Sequence, residues 1–444
     1  MDYQPLWKSS NFNMWAHHSD GTLFVVNIFS GALVRIRAEE VDYVSAILAG
    51  EPVKNPKGIS AVLAQNGMLV PSFVDESQEA RHLYEYLFKK NDRLHLTLLP
   101  TTQCNFRCKY CYEDFQSSRM LREITNSVVN LVQRQAAALH TLSISWFGGE
   151  PLLALDIIED LSYRITTICE ENEVRYSANM TTNGYLLTQP VIERCFSVGI
   201  SKFQITLDGP SDIHDALRVL ANGKGTFDTI FANLLNLRDS KNDFHVRIRV
   251  NFTPATIPFL PEFIRFLGNE FAADSRFSIY FRGVGDWGGE HDNSLKLCNQ
   301  RTADNHEIQF MSLALKAGFG LDSWKEALQP FGSVCYAADP QQFVIGTDGS
   351  VYKCTVAFSD PRNQIGMLRP DGILDIDEQL HHAWTSSGEE IDTECQMCAF
   401  RPACQGNACP YARLNVGEKQ CPRAMNHLDK FLPLLATEAT ILNQ

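Results

Sequence analysis

Apolar residues in the central part of the chain form short runs separated by longer amphipathic stretches. The runs LHLTLLP, LSISWF, VRYSANM, KFQITL, HVRIRVNF and FSIYF begin at residues 94, 142, 174, 202, 245 and 277. Runs of this length are typical of buried strands, and apolar residues at helical spacing lie between most of them. Repeated βα units pack as parallel strands with right-handed connections. The pattern therefore predicts an α/β fold, a partial (β/α)6 barrel over residues 91–290 that is open on one side.

Residues 1–90 follow a different pattern. The runs TLFVVNIF and ALVRIRA predict a β-hairpin, and Glu39–Leu48 predicts a short helix with acidic residues in its first turn. The stretch ISAVLAQNGMLVP then predicts a helix followed by a strand over residues 68–70. We expect a small winged-helix-like module, joined to the barrel by a linker helix in residues 75–90.

The remaining chain divides into two further segments. Residues 291–334 predict a bridging helical segment, and the polar stretch before it contains Trp287, which could contact a substrate or anchor a loop. Residues 335–444 are rich in cysteine and predict short elements. Within them FVIGTDGSVYKC predicts a hairpin with Asp348 and Gly349 at its turn.

Composition and charge narrow the class of protein. The 444 residues are 44% hydrophobic, which is enough for substantial cores, and the net charge of −13 disfavours nucleic acid and anionic membranes as partners. No signal-peptide pattern and no run of eighteen apolar residues is present, so we expect a cytoplasmic protein. Thirteen cysteines in that compartment favour metal ligands over disulfides.

Three of these cysteines fall within eight residues of the stretch TTQCNFRCKYCYEDF, with the spacing C-x3-C-x2-C. Thiolates at Cys104, Cys108 and Cys111 can hold three corners of a [4Fe–4S] cube and leave the fourth iron open to a small molecule. The stretch follows a predicted strand, at the end where α/β folds place their chemistry. A zinc site would want a fourth ligand, and disulfide pairing would leave one cysteine over.

This spacing, with Tyr110 before the last cysteine and Tyr112-Glu113 after it, resembles the radical S-adenosylmethionine (SAM) superfamily. The resemblance implies that SAM chelates the open iron through its amino and carboxylate groups. It also implies that an electron, supplied by an external flavodoxin- or ferredoxin-like donor, cleaves SAM to a 5′-deoxyadenosyl radical. That radical abstracts a substrate hydrogen atom, and the protein positions the cofactor and excludes water.

Later motifs extend the resemblance to the SAM contacts. The turn Gly148-Gly149-Glu150, one βα unit after the cysteines, matches the superfamily motif that binds the methionyl amino group. The resemblance implies that Thr206 and Asp208 lie near the ribose and methionine, and that Arg218 lies near the carboxylate. The expected cofactor-binding residues are Tyr110, Gly148, Gly149, Glu150, Asn183, Thr206, Asp208, Arg218 and Asn251.

Seven more cysteines between residues 335 and 421 resemble the SPASM domain, which houses two auxiliary [4Fe–4S] clusters. The resemblance assigns four of them to an outer cluster and three to an inner one. The gap Gln405–Ala408 has four residues where the family usually has three. The resemblance therefore does not define the local geometry around Cys409. The outer set is Cys395, Cys398, Cys404 and Cys421, and the inner set is Cys335, Cys354 and Cys409.

Three protein ligands would leave the inner cluster with an open iron, which could bind a substrate cysteine thiolate and hold its sulfur ready for bond formation. Cys298 is the upstream alternative as a fourth ligand, although it is distant in sequence. Three cysteines lie outside the two cysteine-rich stretches, namely Cys169, Cys195 and Cys298. If Cys298 is not a ligand, we expect each of the three to be a small buried hydrophobic residue.

Together these motifs resemble radical SAM/SPASM maturases, which modify ribosomally made precursor peptides. The resemblance implies a side-chain crosslink, with a thioether from a cysteine sulfur to carbon as the specific expectation. Carbon–carbon crosslinking or epimerisation would use the same machinery. Residues 1–90 loosely resemble the PqqD type of peptide-recognition domain, so an exposed strand there would dock the leader sequence of the precursor peptide or would simply cap the barrel.

Two alternatives remain open from the sequence. Enzymes that convert sulfatase residues to formylglycine have the three cysteines near the N-terminus and an aspartate directly after the second SPASM cysteine. Here the first cysteine is Cys104 and the equivalent residue is Thr355, and both departures count against that activity. A non-catalytic iron–sulfur electron carrier is the other alternative, and it would have no use for the Gly-Gly-Glu motif.

Overall fold

The structure is a computed structural model that describes residues 5–88, 90–113, 118–285, 295–386, 388, 392–417 and 419–441. Trp287 lies outside the described residues. The chain divides into two compact units. We name residues 91–320 and 340–382 the barrel unit, and residues 1–90, 321–339 and 383–444 the terminal unit. The four segments expected from the sequence remain a prediction about domain organisation.

Strands and helices of the described residues are numbered in chain order. Strands β1 to β18 are Leu6–Ser9, Asn13–His17, Leu23–Asn27, Leu33–Ile36, Val53–Lys54, Leu69–Pro71, Arg93–Leu98, Phe106–Cys108, Thr141–Trp146, Arg175–Thr182, Ile200–Thr206, Arg218–Leu220, His245–Phe252, Phe277–Gly283, Gln342–Ile345, Ser350–Tyr352, Gln364–Leu368 and Leu374–Ile376. Helices α1 to α12 are Val41–Leu48, Ile59–Gln65, Glu76–Phe88, Arg122–Gln135, Leu155–Glu171, Gln189–Ser197, Ser211–Leu217, Phe227–Asp239, Leu260–Phe271, Gln300–Lys316, Asp322–Leu328 and Glu378–Thr385. Shorter helices follow at Thr393–Gln396, Arg401–Cys404, Pro410–Val416 and Arg423–Asn426, before a last helix, Leu428–Ile441.

The six strands expected in the barrel unit are present and confirm the fold class. They lie side by side in the order β14-β13-β11-β10-β9-β7, and each pairs with its neighbour in parallel. Helices α4 to α9 fall between them in the chain. Because consecutive βα units bring the carboxyl ends of parallel strands to one edge, the loops after β7, β9, β10 and β11 meet there.

Side-chain patterns explain these elements. In β9 the buried residues Leu142, Ile144 and Trp146 alternate with less buried ones, as the two-residue repeat of a strand requires. In α5 buried residues such as Ile158, Leu161 and Ile165 recur at intervals of three and four, which places them on one helical face. The helix therefore covers the sheet with its apolar side.

The sheet of the barrel unit extends beyond β7. Strand β15 pairs with β7 in parallel, and β16, β17 and β18 follow as antiparallel neighbours. The hairpin predicted from FVIGTDGSVYKC is formed by β15 and β16, with Gly349 in a left-handed conformation at its turn. Gln342 Nε2 also donates to Thr97 Oγ1 at 2.9 Å, which ties β15 to β7 through side chains.

The terminal unit contains two three-stranded sheets, in the orders β5-β1-β6 and β2-β3-β4. The predicted hairpin (β3 and β4), helices (α1 and α2), closing strand (β6) and linker helix (α3) are all present. Strands β1, β2 and β5 were not predicted, because they are short and lack clean alternation of buried and exposed residues. A leader-recognition role for this part of the chain remains a prediction.

Apolar side chains from both sheets and both helices form one core in the N-terminal part of the terminal unit. It includes Leu23, Val25, Val44, Leu63 and Met68, each at most 1% exposed. Burial of this kind supplies the main favourable free energy for a small module.

Among the described residues, no helix is long and apolar enough to span a bilayer.

Candidate active site

The three clustered cysteines lie on the loop after β7. Its short strand β8 pairs with β12 in antiparallel fashion, so that Cys108 stands opposite Arg218. The backbone N–H of Lys109 also donates to the carbonyl oxygen of Leu217 at 2.9 Å. The cysteine loop is therefore fastened along its length to the segment that carries Arg218, which explains how residues far apart in the sequence share one site.

The thiols of this loop are partly enclosed, and one of them accepts a backbone hydrogen bond. The backbone N–H of Phe106 donates to Cys104 Sγ at 3.4 Å, and hydrogen bonds to sulfur tune iron–sulfur sites. Burial raises the pKa of Cys104 and of Cys111 to about 12, so the thiols stay protonated at neutral pH unless a metal ion stabilises the thiolates. All thirteen cysteines lie in the described part of the chain, and none of them forms a disulfide bond.

Three ligands that converge on one metal ion are a different arrangement from three ligands on a cube. Among the described residues, no group of three or more His, Cys, Asp or Glu side chains is placed to hold a single ion. A [4Fe–4S] cube distributes its cysteines over separate irons, so the cysteines need not point to one centre. A [4Fe–4S] cluster on Cys104, Cys108 and Cys111 remains the prediction made from their spacing.

The Gly-Gly-Glu turn packs directly against the cysteine loop. Gly148 has a φ of +114°, and a Cβ there would lie 2.4 Å from the Thr101 carbonyl oxygen. A Cβ at Gly149 would lie 2.3 Å from the carbonyl oxygen of Gln103. The Glu150 N–H donates to that same Gln103 carbonyl at 2.8 Å. Only glycine at both positions lets the two loops approach this closely.

Glu150 is fully buried and its carboxylate is held by three donors. It accepts from Thr182 Oγ1 at 2.7 Å, from the Asn183 N–H at 2.7 Å and from the Leu152 N–H at 3.1 Å. Burial raises its pKa, and burial together with the charge of Glu150 raises the pKa of the neighbouring Glu113 to about 7. Two buried carboxyl groups that raise each other's cost of ionisation favour a cationic ligand.

Asn183 connects Glu150 to the cysteine loop. Its backbone N–H bonds Glu150, and its side-chain Nδ2 donates to Asn105 Oδ1 at 2.8 Å. Asn105 directly follows Cys104 in the chain. The interpretation of Asn183 as part of the site therefore agrees with its position, although its present partners are protein groups.

A second cluster of polar side chains surrounds Asp208, which follows β11. The Tyr110 hydroxyl donates to Asp208 Oδ2 and accepts from Arg218 Nη1 at 2.7 Å. Asn251 donates its N–H to Asp208 Oδ1 at 2.8 Å and its Nδ2 to the Tyr110 hydroxyl at 3.1 Å. Four of the predicted cofactor-binding residues thus form one hydrogen-bonded network. Thr206 lies two residues before Asp208 and is buried, but none of the described hydrogen bonds involves its hydroxyl.

Arg218 carries an unused donor in this network. Its Nε is buried and has no hydrogen-bond partner among the described protein groups. A buried guanidinium N–H without an acceptor is costly, and a carboxylate is its best partner. A contact between Arg218 and the carboxylate of SAM, which the resemblance implies, would give this N–H an acceptor.

One residue of this network was missed from the sequence. Arg249 Nε donates to Asn251 Oδ1 at 2.8 Å and so fixes the orientation of the Asn251 amide. The two residues lie two apart on β13, and side chains at that spacing share a face of a strand. The Arg-x-Asn pattern in the run HVRIRVNF was therefore a signal that could have identified Arg249.

The predicted outer-cluster cysteines lie in the terminal unit. Burial raises the pKa of the Cys404 thiol to about 11, and the nearby backbone N–H groups of Gly406, Asn407 and Ala408 oppose that shift. The Phe400 N–H donates to Cys398 Sγ at 3.4 Å. This N–H···S contact matches the one at Cys104 in the first cysteine loop.

The four-residue gap between Cys404 and Cys409 forms a tight turn. Gln405 and Gly406 both adopt left-handed conformations, with φ of 52° and 69°. A Cβ at Gly406 would lie 3.2 Å from Cys395 Sγ, so glycine lets this turn lie close to a second cysteine. Cys335 donates its N–H to the Asn407 carbonyl at 2.9 Å, and Cys421 is exposed.

Cys354 of the predicted inner set lies in the barrel unit, where Asn363 holds its backbone. Asn363 Oδ1 accepts from the Cys354 N–H at 2.8 Å, and Asn363 Nδ2 donates to the Cys354 carbonyl at 2.8 Å. The Val356 N–H donates to Cys354 Sγ at 3.4 Å, the same turn as at Cys104 and Cys398. Asn363 is fully buried, so these bonds are protected from water.

Replacing Asn363 by alanine is expected to weaken binding of the predicted inner cluster by about 10- to 100-fold, because Cys354, its predicted ligand, loses the bonds that orient it. Iron bound per chain after anaerobic reconstitution should fall, while SAM cleavage persists. Gln364→Ala, at the exposed neighbouring position, is the matched control. Unchanged iron content in Asn363→Ala would contradict this role.

The three isolated cysteines divide into two groups. Cys169 and Cys195 are buried, as expected for small apolar residues. Cys298 is only partly buried, which corrects the prediction for that residue. It lies on the segment between β14 and α10, and its sulfur is 3.9 Å from the Phe252 carbonyl oxygen. Cys169 and Cys195, in contrast, lie on the buried faces of helices.

Comparison with known proteins agrees with this geometry. The family model described as the radical SAM superfamily matches residues 98–261, which include the first three cysteines, Glu150, Asp208 and Arg218. A cysteine-type anaerobic sulfatase-maturating enzyme of Clostridium novyi is 24% identical over 330 residues, which cover 69% of this chain and 84% of that enzyme. An uncharacterised protein of Methanocaldococcus jannaschii is 29% identical over 180 residues, which cover 39% of this chain and 58% of that protein.

Among solved structures, anSMEcpe with bound AdoMet and Cp18Cys peptide matches with a TM-score of 0.61. The match covers 79% of this chain and 99% of that chain, at 19% sequence identity. A likeness at this identity concerns the fold. Residues 98–261 of this chain thus match the radical SAM superfamily, and the fold of the chain is similar to that of anSMEcpe.

Proposed function

We propose that this protein is a radical SAM/SPASM maturase that cleaves SAM and modifies a ribosomally made precursor peptide. The observation that carries the proposal is the arrangement at one edge of the parallel sheet. There a three-cysteine loop, a buried carboxylate held by three donors, and an arginine with an unused buried donor lie together. These are the groups that an iron–sulfur cluster and the two charged ends of an amino acid require.

Each residue has a role in this proposal. Cys104, Cys108 and Cys111 hold the cluster, which together with SAM supplies a 5′-deoxyadenosyl radical. Glu150 accepts from the methionyl ammonium, and Arg218 Nε donates to the carboxylate. Thr206 contributes a hydroxyl near the ribose. The remaining residues orient these groups, namely Tyr110, Gly148, Gly149, Asn183, Asp208 and Asn251.

Several features favour a peptide as the substrate. Residues 1–90 form a separate core before the barrel strands begin, as a peptide-recognition module would. The net charge of −13 suits a neutral or basic partner. The similar structure anSMEcpe contains a bound peptide, Cp18Cys. We infer that a leader sequence docks on the N-terminal module, and that an external flavodoxin- or ferredoxin-like donor supplies electrons in the cytoplasm.

A thioether is the bond we propose. Its formation removes a hydrogen atom from carbon, and a proton and an electron from a cysteine thiol, so the reaction needs an electron acceptor. Auxiliary [4Fe–4S] clusters on Cys335, Cys354 and Cys409, and on Cys395, Cys398, Cys404 and Cys421, would serve that purpose. Cys335, Cys354 and Cys409 are three ligands, so the inner cluster would have a position for the substrate thiolate.

The test uses the anaerobically reconstituted protein with SAM, dithionite and a candidate precursor, namely a short cysteine-containing peptide translated from an open reading frame beside its gene. Release of 5′-deoxyadenosine, and a peptide that has lost two hydrogen atoms and its free thiol, are the expected results. Absence of 5′-deoxyadenosine would contradict the proposal and would favour a non-catalytic electron carrier.

A sulfatase-maturating activity is the second candidate, because the Clostridium novyi relative carries that name and aligns over most of its length. Thr355 after Cys354 counts against it, since the formylglycine-forming family has an aspartate there. The peptide product distinguishes the two activities. Formylglycine formation from cysteine exchanges sulfur for oxygen and removes two hydrogens, whereas thioether formation retains the sulfur.

A further inference from the structure

A buried chain of side chains joins two residues of the SAM-binding network, Asp208 and Arg218, which lie on either side of α7. The Asp208 N–H donates to His214 Nδ1 at 3.1 Å. His214 Nε2 lies 3.1 Å from Thr226 Oγ1, and Thr226 Oγ1 donates to the Arg218 carbonyl oxygen at 2.7 Å. His214 and Thr226 are 0% and 1% exposed, so water does not readily replace a lost partner.

Every proton in this bridge is assigned by its two ends. A backbone N–H can only donate and a carbonyl oxygen can only accept. His214 Nδ1 must therefore accept from Asp208, which leaves the ring proton on Nε2 to donate to Thr226. Burial lowers the pKa of His214 to about 2, so the ring is neutral at physiological pH. The direction of every hydrogen bond in the bridge is therefore fixed.

The position of Thr226 is set independently of His214. Asp215 Oδ1 accepts from the backbone N–H groups of Thr226 and Phe227 at 2.7 and 2.9 Å, which caps α8. A Cβ at Gly225 would lie 2.2 Å from Asp215 Oδ2, so glycine is needed beside this cap. Phe227 packs edge-on against the His214 ring at 5.7 Å. Thr226 is thus a fixed point from which the bridge reaches Arg218.

We propose that His214 and Thr226 are positioning residues that hold Arg218 at a fixed position relative to Asp208 for SAM binding. The inference rests on the proposed function, because it assumes that Arg218 and Asp208 contact SAM. Arg218 is otherwise tied to the cysteine loop, through strand pairing with Cys108 and the bond to Tyr110. The bridge therefore connects the SAM contacts after β11 to those beside the cysteine loop.

The primary test compares Thr226→Val with Thr226→Ser in the anaerobically reconstituted protein. Valine keeps the shape of threonine but removes the hydroxyl, whereas serine keeps the hydroxyl. We expect Thr226→Val to raise the Kd for SAM about tenfold and to alter the EPR spectrum of the reduced cluster with SAM. We expect the Kd of Thr226→Ser for SAM to stay within about twofold of that of the unmodified protein. If SAM binding were weakened equally in both variants, or were not weakened in Thr226→Val, the proposal would be overturned.

A second variant separates positioning from a general loss of structure. His214→Asn keeps an acceptor for the Asp208 N–H but does not reach Thr226, so its Kd for SAM should rise as in Thr226→Val. Because both changes break the same bridge, the double variant should bind SAM no more weakly than either single one. Additive losses would indicate independent structural roles and overturn the bridge. If the unmodified protein binds no SAM, the proposed function fails instead.

Discussion

Replacing Cys104, Cys108 or Cys111 by alanine is expected to abolish the formation of 5′-deoxyadenosine from SAM. Each thiol would bind a different iron of the cube, and loss of one leaves two protein ligands on a short loop. Desolvation already opposes thiolate formation at Cys104 and Cys111, so a partly ligated cluster has little support from the protein. The measurement is chromatographic detection of 5′-deoxyadenosine after anaerobic incubation with SAM and dithionite.

Cys169→Ala is the matched control for these variants. Cys169 is buried in α5 and is the kind of isolated cysteine that packs as an apolar residue. The control should retain SAM cleavage and the iron content of the unmodified protein. Retained cleavage in any of the three loop variants would show that the cluster is held elsewhere, and the assignment of the active site would be wrong.

Glu150→Gln is expected to weaken SAM binding by about 100-fold. Both oxygens of Glu150 accept from N–H or hydroxyl donors, so a glutamine NH2 group would face a donor on either side. The substitution also removes the negative charge that would attract the methionyl ammonium. Equilibrium dialysis of the reconstituted protein with labelled SAM measures the Kd directly.

Glu170→Gln, at an exposed position of α5, makes the same chemical change away from the site and should leave SAM binding unchanged. The melting temperature of both variants should be recorded, since Glu150 also anchors the start of the turn before α5 through Leu152. A Glu150→Gln protein that melts normally and binds SAM like the unmodified protein would exclude Glu150 from SAM recognition.

Local patterns were sufficient to predict the six parallel strands of the barrel unit. Each of these strands is a compact apolar run, and a helix such as α5 has buried residues at intervals of three and four, so neighbours in the chain define them. Strands β1, β2 and β5 were not predicted because their stability comes from partners in the sheet rather than from their own sequence.

Some residues of the candidate site could likewise be recognised from the sequence, and others only from the structure. The cysteine spacing and the Gly-Gly-Glu turn are short motifs, and the local sequence is enough to recognise them. Arg249 and Asn363 were missed because their importance depends on one hydrogen-bond partner each, Asn251 and Cys354. Nothing in the chemistry of an arginine or an asparagine indicates which backbone or side chain it will meet after folding.

What the sequence by itself determined is the set of chemical groups: three close thiols, a glycine turn with a glutamate, and an arginine after an aspartate. Only the tertiary structure decided which of them meet. Cys108 pairs with Arg218, and Tyr110 joins Asp208 to Arg218, across about a hundred residues of chain. Hydrogen bonds act over a few ångströms, so such contacts exist only once parallel strands bring their carboxyl ends to one edge.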